Sequence, residues 1–63
     1  MNATTSRKAH DLKPGDQIRE GLKTWRTVFD AYPMPGGRTC IKVHTPGGIK
    51  HRTVKADRIY PTR

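Results

Sequence analysis

The chain has 63 residues, enough for one domain near the lower size limit of a self-supporting core. Hydrophobic residues make up 32%, which argues against a large enclosed active-site cavity and places function on the outer surface or at a subunit interface. Thirteen Lys and Arg against five Asp and Glu give a formal charge of +8, nearly all of it after residue 20, and a polyanion such as nucleic acid would relieve that self-repulsion.

Residues 1–8 are polar and aperiodic and read as a flexible basic arm carrying Arg7 and Lys8, with residues 9–63 as the single domain. Ala9 to Leu12 leads into Lys13-Pro14-Gly15-Asp16, where Pro followed by Gly marks a tight turn. Gln17-Ile18-Arg19 is a short strand with Ile18 facing in, and Glu20 to Lys23 is a loop. Thr24 to Tyr32 is the longest strand, rich in β-branched and aromatic residues. Its alternation is imperfect. Trp25, Thr27, Phe29 and Ala31 share one face and Val28 and Tyr32 the other, so either both faces are partly covered or a bulge shifts the register. Pro33 to Gly37 closes a hairpin.

Thr39 to His44 alternates cleanly, with Ile41 and Val43 pointing one way and Cys40, Lys42 and His44 the other. After the tight Thr45 to Gly48 connection, Ile49 to Val54 is a strand. It sets Lys50, Arg52 and Val54 on one face and Ile49, His51 and Thr53 on the other. Lys55 to Arg58 fits a single 3₁₀ turn, and Ile59-Tyr60 a short closing strand. No segment shows a helical period over ten residues. The expectation is an all-β fold, a small barrel or sandwich of short strands.

The order of these parts is similar to a known pattern. Leu12-Lys13-Pro14-Gly15-Asp16-Gln17-Ile18 precedes a Trp-led strand, and Val54-Lys55-Ala56-Asp57-Arg58-Ile59 forms the final turn. Over residues 11–60 this resembles SH3-like barrels of the KOW and Tudor kind. The resemblance implies five strands in a barrel, with a 3₁₀ turn before the last strand. That barrel serves ribosomal and transcription-factor modules, methyl-lysine readers, peptide binders and a few enzymes. The chain also looks like a small accessory product of a bacteriophage or mobile element. Gly15 to Arg19, with the spacing of Trp25, Phe29, Ala31 and Tyr32, is similar to type II dihydrofolate reductases. Their Val-Gln-Ile-Tyr strand is missing, since Lys50-His51-Arg52-Thr53-Val54 stands in its place and Ile59-Tyr60 falls later. A non-catalytic chain is therefore expected.

Two surfaces carry candidate chemistry. If the two strands pair across Thr45 to Gly48, Lys42 and His44 share a face with Lys50 and Arg52, a basic groove that Arg26, Arg38, Lys55 and Arg58 extend. The competing reading is a solvated face of splayed cations, and the absence of any acid between Thr39 and Ala56 favours the groove. Trp25, Tyr32 and Tyr60 are candidate stacking rings. Core packing competes: it claims Phe29 first, weighs evenly for Trp25, and suits the two tyrosines least, because their hydroxyls prefer water.

The Pro35-Gly36-Gly37 and Pro46-Gly47-Gly48 loops read as hairpin turns rather than phosphate cradles. Cys40 and His44 lie ~13 Å apart along their strand, too far for a catalytic pair. The single cysteine excludes an internal disulfide, and His10, His44 and His51 lack zinc-ligand spacing, so neither metal nor cofactor is expected. The polar N-terminus has no signal-peptide core, and no apolar run is long enough for a bilayer, which suggests a cytoplasmic setting. The partner indicated is DNA or RNA. The alternative is a host protein or a second copy, docking through Tyr32, Met34 and Tyr60.

Overall fold

The structure, a computed structural model, describes residues 5–63. The first four residues of the expected arm lie outside that range. Six strands form: β1 (Thr5–Lys8), β2 (Gln17–Arg19), β3 (Trp25–Met34), β4 (Arg38–Thr45), β5 (Gly48–Lys55) and β6 (Ile59–Thr62). They make one antiparallel sheet in the order β1-β6-β2-β3-β4-β5. The all-β expectation holds, but the five-strand count does not. Thr5 to Lys8, read as part of a free arm, pairs with β6 from Thr5↔Thr62 to Lys8↔Ile59 and adds a sixth strand. Nor does the ladder close into a barrel, because β1 and β5 each keep one unpaired edge.

β3 belongs to both halves of the sheet. Its first residues pair with β2 (Ile18↔Arg26, Arg19↔Trp25), and from Val28 onward it pairs with β4. The register shifts between Val28↔Val43 and Asp30↔Lys42, so Phe29 is an extra residue with no partner. Of the two readings that the broken alternation allows, this is the bulge, and it decides which side chains go in. Val28 before the bulge and Ala31 after it face inward, whereas Phe29 turns out and is 48% exposed. The expected burial of Phe29 is thereby overturned. The larger ring yields its core place to Val28 because the extra residue inverts the pleat beneath it.

The sheet curls around Ala9, Leu12, Ile18, Val28, Ile41, Val43 and Tyr60. β4 contributes most because it has a strand on either side. Tyr60, expected to reach water, is only 5% exposed and packs in this cluster. Burial of its phenol in turn raises its pKa above 10. Gly15 takes φ 95° in the Lys13–Asp16 turn, a conformation that the side chain of any other L-residue resists. The turn is held by the Asp16 amide on Lys13 O (3.1 Å) and the Lys13 amide on Asp16 Oδ2 (2.9 Å).

The 3₁₀ helix lies elsewhere than expected. Lys55 to Arg58 is a simple reverse turn closed by the Arg58 amide on Lys55 O (3.0 Å). The 3₁₀ helix is Ala9–Asp11, closed by the Leu12 amide on Ala9 O (3.2 Å). The fully buried Ala9 donates to Arg58 O (2.8 Å), and His10 donates to Ala56 O (3.1 Å). Ala56 donates to Gly37 O (2.9 Å). These bonds fasten the strand ends to one another where the ladder itself stays open. No helix among the described residues is long and apolar enough to cross a membrane.

Candidate nucleic-acid interface

The β4–β5 hairpin turns on two residues, Pro46 and Gly47, with Thr45 opposite Gly48. Thr45 Oγ1 accepts the Gly47 amide (3.2 Å) and donates to Gly48 O (2.6 Å). A two-residue loop places every even-numbered residue of β4 opposite an odd-numbered one of β5. Lys42 therefore pairs with His51 and His44 with Ile49, while Val43 pairs with Lys50 and Ile41 with Arg52. The expected union of Lys42, His44, Lys50 and Arg52 on one face does not form. Lys50 and Arg52 rise from the core side of the sheet, at its edge, because directly paired residues point the same way.

The outer face of β3-β4-β5 carries a different set. Successive rows hold Met34, Arg38 and Lys55, then Tyr32, Cys40 and Thr53, then Asp30, Lys42 and His51. At the far end the bulged Phe29 meets His44 edge to face, with centroids 5.3 Å apart and planes at 88°, and Ile49 stands beside His44. Lys42 Nζ lies 5.5 Å from the Tyr32 ring centroid. A side-chain hydrogen bond with Cys40 raises the Tyr32 phenol above its ordinary pKa, so the ring stays neutral. Asp30, the one acid in these rows, accepts the Ala31 amide on Oδ1 (2.9 Å). Of the expected phosphate contacts, Arg38, Lys42, His44 and Lys55 come together here. His51 and Phe29 join them unforeseen, although the two-residue turn and the bulge carried the signal for both.

Arg26, Arg52 and Arg58 gather at another place. Glu20, on the loop after β2, accepts Arg52 Nε on Oε2 (3.0 Å) and Arg52 Nη2 on Oε1 (3.4 Å), with Arg26 Nε at 3.8 Å from Oε1. Arg26 pairs with the buried Ile18 and so faces inward, towards Arg52 on the opposite wall. Beside this cluster is a shallow cavity of about 370 Å³ lined by Arg19, Glu20, Arg52, Arg58, Ile59, Tyr60 and Pro61. The Arg58 guanidinium lies 5.0 Å from the Tyr60 ring centroid. Arg19 is a member of this group that charge counting along the sequence overlooks.

Of the three rings expected to stack, only Tyr32 stands on the outer face of β3-β4-β5. Tyr60 is in the core. Trp25 is partly buried, and the Arg63 guanidinium covers it with Cζ 4.3 Å from the ring centroid. Arg63 is held there by its Nε on Gln17 Oε1 (3.0 Å) and its amide on Gln17 O (3.1 Å). Arg7 and Lys8, exposed on β1, line a separate open cavity with His10, Lys13 and Ile59. Among the described residues, no group of three His, Cys, Asp or Glu side chains is placed to hold a metal ion. Comparison with protein-family models, with curated proteins and with solved structures finds no match.

Proposed function

We propose that this chain is a non-catalytic nucleic-acid-binding module built on an SH3-like curled sheet, and that it meets the phosphate backbone with the outer face of β3-β4-β5. One observation carries the reading. Arg38, Lys42 and Lys55 share that face with Tyr32 and Phe29, and none of the three cations is held in an ion pair among the described residues. Cations not tied into ion pairs lower the cost of approaching phosphate, and an exposed ring offers a base a surface to stack on. A sheet that curls around β3, its open side bridged by Glu20 and Arg52, supports the barrel-like part of the reading. The buried free thiol of Cys40 suits a reducing, cytoplasmic setting.

The test is binding to mixed-sequence DNA and RNA, duplex and single-stranded, over a series of salt concentrations. Three phosphate contacts give a slope of log affinity against log salt of about −2 to −3. No detectable binding at low salt rejects the proposal.

A second reading is favoured by the apolar part of the same face. Phe29, Ile49 and Met34 are 48%, 42% and 38% exposed. Such residues suit a protein partner, either a second copy or, for an accessory protein of a bacteriophage or mobile element, a host protein. Concentration-dependent sedimentation that is abolished by Phe29→Ser, together with absent nucleic-acid binding, would favour it.

A further inference from the structure

The outer face leaves the arginine cavity unused, and its charge balance points to a second ligand. Arg26 and Arg52 share one carboxylate, Glu20, and Arg19 and Arg58 line the cavity beside it. Glu20 is spent on Arg52, which grips it with two N–H groups, and on the longer contact with Arg26. Arg19 and Arg58 are exposed, line the cavity, and have no carboxylate partner among the described residues. Arg58 lies near the Tyr60 ring, and Arg19 projects from β2. A guanidinium carries five N–H donors, so Arg52 retains donors after its fork to Glu20.

We propose that this cavity binds a phosphate monoester, supplied as the terminal phosphate of a nucleic-acid strand. Charge decides the class of anion. Glu20 offsets only one of the four guanidinium charges, and the excess of three suits a monoester, which carries about −1.5 to −2 at neutral pH. A backbone phosphodiester carries a single charge and would leave more of that excess without a counter-ion. The lining agrees, because three arginines, Arg19, Arg52 and Arg58, border the cavity and a monoester offers three terminal oxygens as acceptors. The cavity, about 370 Å³, lies at the small end of ligand sites and suits a chain end better than a continuous duplex. The terminal nucleotide as a source rests on the nucleic-acid reading above, whereas the phosphate site itself does not.

The experiment compares one single-stranded oligonucleotide with a 5′-phosphate and the same oligonucleotide with a 5′-hydroxyl, bound to the full chain. The wild type is expected to prefer the phosphorylated end by about tenfold. Arg19→Gln and Arg58→Gln, both at exposed positions, are expected to remove most of that preference and keep the 5′-hydroxyl affinity. Lys13→Gln, which removes one charge from an exposed turn, is expected to retain the preference. Equal affinity of the wild type for both ends overturns the proposal. So does a loss of affinity for both ends alike in the arginine variants.

If neither oligonucleotide binds, the nucleic-acid reading fails and inorganic phosphate decides the site. Side-chain Nε–H resonances of Arg19 and Arg58 that shift and saturate with phosphate, and not with chloride at equal ionic strength, uphold it. Their failure to shift overturns it. A free nucleoside monophosphate that binds as tightly as the phosphorylated strand upholds the site and overturns the strand terminus as its source.

Discussion

Glu20 takes both prongs of the Arg52 guanidinium, at 3.0 and 3.4 Å, and so ties the free-edge strand β5 to the loop that follows β2. These two segments share no backbone ladder. The carboxylate is well shielded, with 14% of its side chain exposed, while the Arg52 side chain is 39% exposed. A pair in that setting is worth more than a surface ion pair, yet it is screened on the arginine side.

Removing the carboxylate alone leaves Arg26 and Arg52 facing each other without compensation. Glu20→Gln is expected to destabilise the fold by about 1–2 kcal/mol in urea denaturation. In a double-mutant cycle, Glu20→Gln and Arg52→Gln should couple by about 1 kcal/mol. Strictly additive effects would show that the bond does not hold the seam.

The bulge at Phe29 makes an unusual ranking. Phe29→Ala should cost under about 1 kcal/mol, since the residue is already 48% exposed and its ring stands against His44 on the outer face. Val28→Ala removes less volume but opens the core, at about 2 kcal/mol. Equilibrium unfolding of the two variants checks the order, and a larger loss for Phe29→Ala would mean that the ring is buried.

That inversion also shows what the sequence could and could not tell. Strand positions, the Gly15 turn and the inward set Ile18, Ile41 and Val43 follow from local pattern, because a two-residue period needs only neighbouring residues. A bulge was one of two readings of the broken alternation, and neither the choice between them nor its location between Val28 and Asp30 was legible, since both depend on which β4 residues stand opposite. The separation of Lys42 from Lys50 was available by counting across Pro46-Gly47, as the loop length alone sets the parity. By contrast, the pairing of Thr5 to Lys8 with β6, and the meeting of Arg26 and Arg52 at Glu20 beside Arg58, depend on how distant segments curl together. No periodicity within one segment reports such contacts.

The parity of the hairpin yields a charge-matched test of the interface. Lys42 lies on the outer face and Lys50 on the other, with the same charge and a similar distance from the turn. Lys42→Gln is expected to weaken nucleic-acid binding about fivefold and to reduce the salt slope by about one. Lys50→Gln should change neither by as much. Equal losses in fluorescence-anisotropy titrations would indicate diffuse attraction to net charge in place of a defined face.

Tyr60 gives the molecule an alkaline limit. Its phenol is buried among core residues, and desolvation holds its folded pKa above the unfolded value of 10.0, although Arg58 nearby pulls it partly back down. A raised pKa means that the folded state favours the neutral phenol. The stabilisation is therefore complete below pH 10 and is lost as pH climbs through the folded pKa. The wild type should lose stability steeply above pH 10, and Tyr60→Phe should flatten that loss while changing neutral-pH stability little. Tyr32→Phe should flatten it less. Tyr32 is raised first by its bond with Cys40, and it stands on the outer face, where ionisation exposes no core. Urea midpoints from pH 7 to 11, with phenolate absorbance followed in parallel, read both variants. A wild-type midpoint that stays flat to pH 11 would place the Tyr60 hydroxyl in contact with bulk water.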